Sequence, residues 1–337
     1  MLDYKRILEK SNSSIPLLNE YRNNDINFQH FLDMLIFFEK QIPSSVLKSI
    51  ETKIYDSLRS DNIEKYSQTM SELIVLYYVC RSYGDSFTYE PKYNGNYNPE
   101  CCFSCGGFTV NIEVKCPNYA ERNALKNRNT LKIDLIGQRL PDKKVLEEVV
   151  SMLKPNISNT PYNDIEVKKL MDMKLKDFLE HSNKKFPKGD EYFNILVISL
   201  ETITDLDEWY MYLFGDNGVF TTNSFLFKNS YSNVDAIILS TIRGKLSPSL
   251  EKKDNRWYME NADNYIFLDP EKEHSNKGTF FFDSIINMFG SQTLGFLKYQ
   301  TFLDGNNEDN TDAVSYYIHK SRMFSNYYNY IANSRNI

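Results

Sequence analysis

Glu100, Glu113 and Lys115 have the types and layout that can hold a divalent metal and poise a water for attack on a phosphate, and Glu72 adds a separate clue. Glu113-Val114-Lys115 ends a stretch, Phe108 to Lys115, that alternates apolar and polar residues with period two, the pattern of a half-buried strand. Phe108, Val110, Ile112 and Val114 take one face; Thr109, Asn111, Glu113 and Lys115 take the other. A carboxylate and an ammonium therefore share a sheet face, and Glu100, after Pro99, arrives from a neighbouring turn. Glu100 and Glu113, with the Val114 carbonyl, supply hard oxygens of the kind Mg²⁺ prefers. Lys115 is placed to orient or deprotonate an attacking water, or to offset charge in the transition state. Glu72 shares a helix face with Val75, Leu76 and Val79, and a carboxylate on an apolar stripe needs a partner or a metal.

The elements that must carry these groups can be read in outline. Two helices, around Phe28 to Phe37 and Val46 to Leu58, fill residues 1–62 and carry no evident chemistry. A helix from Ile63 to Tyr83 holds Glu72, with Gly84 at its end. Short strands are expected at Ser86 to Glu90 and Cys101 to Phe103, separated by a turn at Asn94 to Pro99, and the Glu113 strand stops at Pro117. Residues 118–163 read as irregular with a helical piece near Lys143 to Leu153. A helix is expected from Ile165 to Asn183 with Asp164 as its N-cap. Phe193 to Leu200 is nearly all apolar, as in a buried central strand. A helix near Glu208 to Phe214 and strands at Val234 to Ser240 and Tyr265 to Leu268 follow, then aromatic helices at 281–299 and 312–332. The order implies an α/β core with a mixed sheet flanked by helices.

Pro99-Glu100, twelve residues, then Glu113-Val114-Lys115 at the end of an apolar strand resembles the PD-(D/E)XK, or restriction-endonuclease-like, nuclease superfamily. Glu72 matches the acidic residue many members carry in the preceding helix, and the likeness spans roughly residues 65–240. The family usually carries Asp where this chain has Glu100. The resemblance implies a restriction-endonuclease-like core at 63–250, a helical extension at 1–62 and a mostly helical, aromatic-rich region at 251–337 packed on the core. It implies a Mg²⁺-dependent deoxyribonuclease, with Mn²⁺ able to substitute. Glu72, Glu100, Glu113 and the Val114 carbonyl would hold the metal, with Lys115 beside them in catalysis. Bacterial restriction or phage defence would suit such an enzyme. The competing expectation is a catalytically silent fold of the same kind that binds nucleic acid or assembles with a partner protein. The Glu100 departure and the acidic total charge favour that alternative.

Charge is unevenly spread. The whole chain carries a net −6, yet residues 115–190 hold sixteen Lys or Arg against eleven Asp or Glu. Lys168, Lys169, Lys174, Lys176, Lys184 and Lys185, with Lys188 beyond them, recur along the segment after the site. They are the candidates for contact with a DNA backbone, and the pattern leaves RNA open too. A homodimer is compatible with double-strand cutting, and the C-terminal aromatics Tyr316, Tyr317, Phe324, Tyr327, Tyr328 and Tyr330 offer an interface.

No apolar run is long enough to cross a bilayer and no secretory leader opens the chain, so a cytoplasmic protein without a membrane partner is expected. Five cysteines, an odd number, read as reduced thiols. Cys102-x-x-Cys105 has half the spacing of a zinc knuckle and no second pair. The four histidines form no metal or nucleophile pattern, and Arg243-Gly244-Lys245-Leu246 lacks the features of a phosphate loop. Asp304 to Asp309 lacks the central Gly and terminal Glu of a calcium loop.

Overall fold

A computed structural model of the chain describes residues 15–23, 25–60, 62–93, 98–120, 131–133, 148, 150–155, 165–167, 171–214, 217–246 and 255–289. Four helices come first: α1 (Pro16–Arg22), α2 (Ile26–Gln41), α3 (Ser44–Arg59) and α4 (Ile63–Tyr83). Asp25 caps α2 by accepting from the Asn27 amide, and Asn62 caps α4 by accepting from Glu64 and Lys65. Strands β1 (Thr88–Tyr89), β2 (Cys101–Cys105) and β3 (Phe108–Lys115) follow, then β4 (Leu131–Ile133) and β5 (Ile165–Val167). The second half holds α5 (Asp172–Lys185), β6 (Tyr192–Ser199), α6 (Ile203–Phe214), β7 (Ala236–Ser240), α7 (Ile242–Lys245) and β8 (Asn264–Leu268). Helix α8 (Asn276–Phe280) runs through a π-helical segment, Phe281–Ile285, into α9 (Ile286–Phe289).

Six strands form one mixed sheet in the order β1-β2-β3-β6-β7-β8. The β3–β6 and β6–β7 pairs are parallel and the others antiparallel. The register sets Val110, Ile112 and Val114 beside Phe193, Ile195 and Val197, and these side chains join a core built with α4 and the N-terminal helices. The opposite face, with Leu196, Ile198, Ile237 and Leu239, packs on α5 and α6. The nearly all-apolar β6 thus feeds two separate layers, while β3 puts Val110, Ile112 and Val114 into the first alone.

One expectation changes. The helix expected from Ile165 to Asn183 is instead strand β5, paired in parallel with β4, and a helix that starts only at Asp172 and ends at Lys185. Ile165 and Val167 flank Glu166 with the alternation of a strand, and that local preference wins over the helical reading. The strand expected at Tyr265 to Leu268 is present as β8, pairs with β7 along its whole length and completes the sheet. Helices α2 to α4 share one continuous core with β2, β3 and β6, so residues 15–62 are built into the body of the fold. Asp164, the 312–332 helix, the C-terminal tyrosines and most of the 118–163 segment lie outside the described residues. Gly84 ends α4 with a helical φ of −52°, leading into a 3-10 turn.

The Arg243-Gly244-Lys245 segment is structural. A Cβ on Gly244 would stand 2.1 Å from the Glu201 carbonyl oxygen, so only glycine lets α7 approach the chain after β6. Arg243 then reaches Glu64 with both terminal nitrogens, at 2.6 and 3.0 Å, and donates to the Pro117 carbonyl at 2.9 Å. This fork ties the exit of β3 to the first turn of α4. Among the described residues no helix is long and apolar enough to cross a membrane.

Candidate active site

The site forms where β2 ends and β3 continues. Glu100 precedes β2, and its amide donates to the Ile112 carbonyl at 2.9 Å, the last rung between the two strands. Carbonyls two residues apart on a strand point to the same side, so the Val114 carbonyl faces the same edge with β2 already gone. Gln68, from α4, fills that position. Its Nε2 donates to the Val114 oxygen at 3.1 Å and its Oε1 accepts from the Cys116 amide at 2.7 Å. The same Nε2 donates to Glu72 Oε1 at 2.6 Å, one helical turn on. One amide thus finishes the β3 edge and aims Glu72 at it.

The four sequence-predicted residues are brought together, through lysines. Glu113 is fully buried, at 0% exposure. Lys115 Nζ stands 2.5 Å from its Oε1, and Lys185 Nζ, from the last turn of α5, stands 2.7 Å from Oε1 and 3.0 Å from Oε2. Lys185 also lies 3.7 Å from Glu100 Oε1. The other Glu100 oxygen meets Lys53, from α3, at 3.2 Å. Lys53 in turn reaches Glu72 Oε2 at 3.7 Å and Glu90 Oε1 at 2.9 Å. Glu100 is therefore the hinge of a charge chain running Glu72, Lys53, Glu100, Lys185, Glu113, Lys115.

The electrostatics follow from this crowding. Burial, and then the negative charge of Glu100, push the Glu72 carboxyl up to about 7, against Lys53 and the Gln68 amide. Burial and Glu100 raise Glu113 as well, against the pull of Lys115 and Lys185. Burial disfavours the charge on Lys53, but Glu100, Glu72 and Glu90 outweigh it and raise its pKa. Lys185 behaves alike: Glu113 and Glu100 overcome its burial.

Lys53, Glu90 and Gln68 were not among the sequence candidates, and Lys185 was placed among nucleic-acid contacts. Gln68 and Glu72 at i, i+4 were the available signal for one of them. Glu90 takes a positive φ of 42°, which sequence does not announce. Of the predicted lysines, Lys174 and Lys184 are exposed, Lys176 is half-buried near Glu180 at 3.9 Å, and Lys168 and Lys169 lie outside the described residues. Asn111 is buried and bonds the Asn194 side chain at 2.9 Å, a structural pairing within the sheet.

The donor set suits a hard divalent cation in kind: carboxylates of Glu72, Glu100 and Glu113 beside the Val114 carbonyl, whose second lone pair is not taken by Gln68. Among the described residues, no three His, Cys, Asp or Glu side chains already stand as a metal-holding group. The acidic oxygens meet one another through ammonium heads instead. Compared with protein-family models, with curated proteins and with solved structures, the chain matches none. The class the fold defines is an α/β protein with a six-stranded mixed sheet, and it carries an acid–lysine cluster where β3 runs past the start of β2.

Proposed function

We propose that the chain is a metal-dependent nuclease that hydrolyses phosphodiester bonds of DNA on a restriction-endonuclease-like core. The observation that carries this reading is Glu100, whose two oxygens point to two different cations, each shared with another predicted site carboxylate. Mg²⁺ or Mn²⁺ would be held by Glu72, Glu100, Glu113 and the Val114 carbonyl. When bound, the ion supplies charge neutralisation on the scissile phosphate and acidifies the attacking water.

The chain's own groups do the rest. Lys115, fixed against Glu113, presents its ammonium on the polar face of β3, where it orients the water and offsets negative charge gathering on the phosphate oxygens. Gln68 keeps Glu72 and the Val114 carbonyl in register with each other. Lys185 holds Glu113 in its buried position. Exposed Lys174 and Lys184, with Lys188, are the groups proposed to follow the phosphate backbone.

The test is incubation with linear and circular double-stranded DNA, single-stranded DNA and RNA, with Mg²⁺ or Mn²⁺ and with chelator. Cleavage that needs metal and is abolished by Lys115→Ala and by Glu113→Gln is expected. Cleavage that survives both substitutions rejects the site. A second reading, a silent module for nucleic-acid binding or assembly, is favoured by Lys53 and Lys185 already neutralising the acidic groups. It predicts retained DNA binding with no cutting of any substrate.

A further inference from the structure

Lys53 sits where a cation would be wanted, although it comes from a helix with no evident chemistry in its sequence. Its ammonium touches Glu72, Glu90 and Glu100 at once. Resting on the metal-dependent reading above, we propose that Lys53 fills the cation seat between Glu72 and Glu100 and withdraws toward Glu90 when a divalent ion enters.

Four observations support this direction of movement. First, the shortest of the three contacts is to Glu90 at 2.9 Å, against 3.2 Å to Glu100 and 3.7 Å to Glu72, so the ammonium already leans outward. Second, the Lys53 and Glu90 side chains are 38% and 37% exposed, whereas Glu100 is 9% and Glu72 13% exposed, so Glu90 marks the solvent side. Third, Glu90 holds a left-handed φ of 42° that a non-glycine residue seldom adopts, and its amide is pinned to the Glu100 carbonyl at 3.0 Å. That conformation keeps a carboxylate beside the seat but outside the Glu72–Glu100 pair. Fourth, the Tyr89 ring, 5.4 Å from the ammonium, offers a further resting face on the same side.

Lys185 lacks such an exit. It is 17% exposed and pairs with both oxygens of a carboxylate that is fully buried. Leaving would strand Glu113, so Lys185 stays as a positioning residue while Lys53 yields. An ammonium between Glu72 and Glu100 occupies the carboxylate oxygens a divalent ion would use there, and the two like charges repel. Lys53 would thus set the cation concentration at which the site loads.

The experiment is calorimetric titration of Mn²⁺ into the chelator-stripped full chain at one pH and ionic strength, with folding checked by circular dichroism. Lys53→Met is expected to bind Mn²⁺ roughly tenfold tighter than the native chain. Glu90→Gln is expected to bind it several-fold more weakly in the native background and unchanged in the Lys53→Met background. Equal or weaker binding by Lys53→Met overturns the proposal, and so does a Glu90→Gln effect that persists without Lys53, which would make Glu90 a ligand. If Lys53→Met does not fold, Lys53→Gln replaces it. Mn²⁺ binding by the native chain with no gain on removing Lys53 leaves the nuclease reading standing. No binding by either chain removes both.

Discussion

Lys185 grips Glu113 with one ammonium across both carboxylate oxygens, at 2.7 and 3.0 Å, and joins the last turn of α5 to the middle of the sheet. Its neighbour Lys184 is exposed. Lys185→Met should therefore destabilise the fold by about 2 kcal/mol. Removing one partner strands a buried charge, and Lys115 compensates only in part. Lys184→Met should leave the urea midpoint unchanged. Equal midpoints for both variants would sink the structural role assigned to Lys185.

Nucleic-acid contact is separable from that role. Lys174, Lys184 and Lys188 are all exposed and form no part of the acid–lysine chain. Replacing the three with alanine should lower the slope of log affinity against log salt by about 0.9 for each phosphate that is no longer neutralised. Fluorescence anisotropy on a labelled duplex in chelator reads this without cleavage. An unchanged slope would move the nucleic-acid surface elsewhere.

Glu72 sets a pH dependence of known sign. Its carboxyl rises from 4.5 to about 7 on folding, through burial and the nearby Glu100 charge. Between those values the folded chain keeps a proton that the unfolded chain has released, so stability falls as pH rises through this window. Well above pH 7 the penalty is complete, on the order of a few kcal/mol at about 1.4 kcal/mol per unit. Glu72→Gln should remove it. Urea midpoints of the chelator-treated native chain should drop from pH 5 to pH 8 more than those of the variant. Parallel curves would contradict the assignment.

Much of this site was legible because it lies on periodic elements. Period-two alternation placed Glu113 and Lys115 on one face of β3, and the apolar run at Phe193 to Leu200 gave the central strand beside it. The lysines were harder to place. Lys53 lies 47 residues before Glu100 on a surface helix, and only the packing of α3 against α4 brings it over the carboxylates. Lys185 looked like one member of a lysine row until the end of α5 turned it inward. Glu90 depends on a backbone conformation that leaves no trace in composition.

Gln68 offers a test of the open edge. It donates to Glu72 and Val114 and accepts from the Cys116 amide, work that a β2 residue would share if that strand ran further. Gln68→Ala leaves the Val114 oxygen and the Cys116 amide without this partner and should cost about 1–3 kcal/mol. Under the nuclease reading it also lets Glu72 drift, so metal-dependent cleavage should fall at saturating Mg²⁺. Gln68→Glu keeps the acceptor for Cys116 but sets a second carboxylate against Glu72 and the Val114 oxygen, and should cost at least as much as the alanine. A Gln68→Ala chain as stable as the native one would refute the edge-completing role.

The N-terminal helices are part of the same cooperative unit. Phe31, in α2, is fully buried with its ring centroid 5.0 Å from that of Trp257, and the Trp257 indole nitrogen donates to the Asn27 carbonyl at 2.8 Å. Residues more than 200 positions apart therefore share one packing site, in the core that also contains Val114 and Ile195. Phe31→Ala should destabilise the whole chain by about 3–5 kcal/mol, with a single unfolding transition by both fluorescence and circular dichroism. A chain starting at residue 63 should lose the α2 and α3 faces of that core together with Lys53, and should not fold. Two separated transitions, or a soluble and folded 63–337 fragment, would show the helical layer to be an independent domain. In that event the placement of Lys53 would not be an intrinsic part of the core.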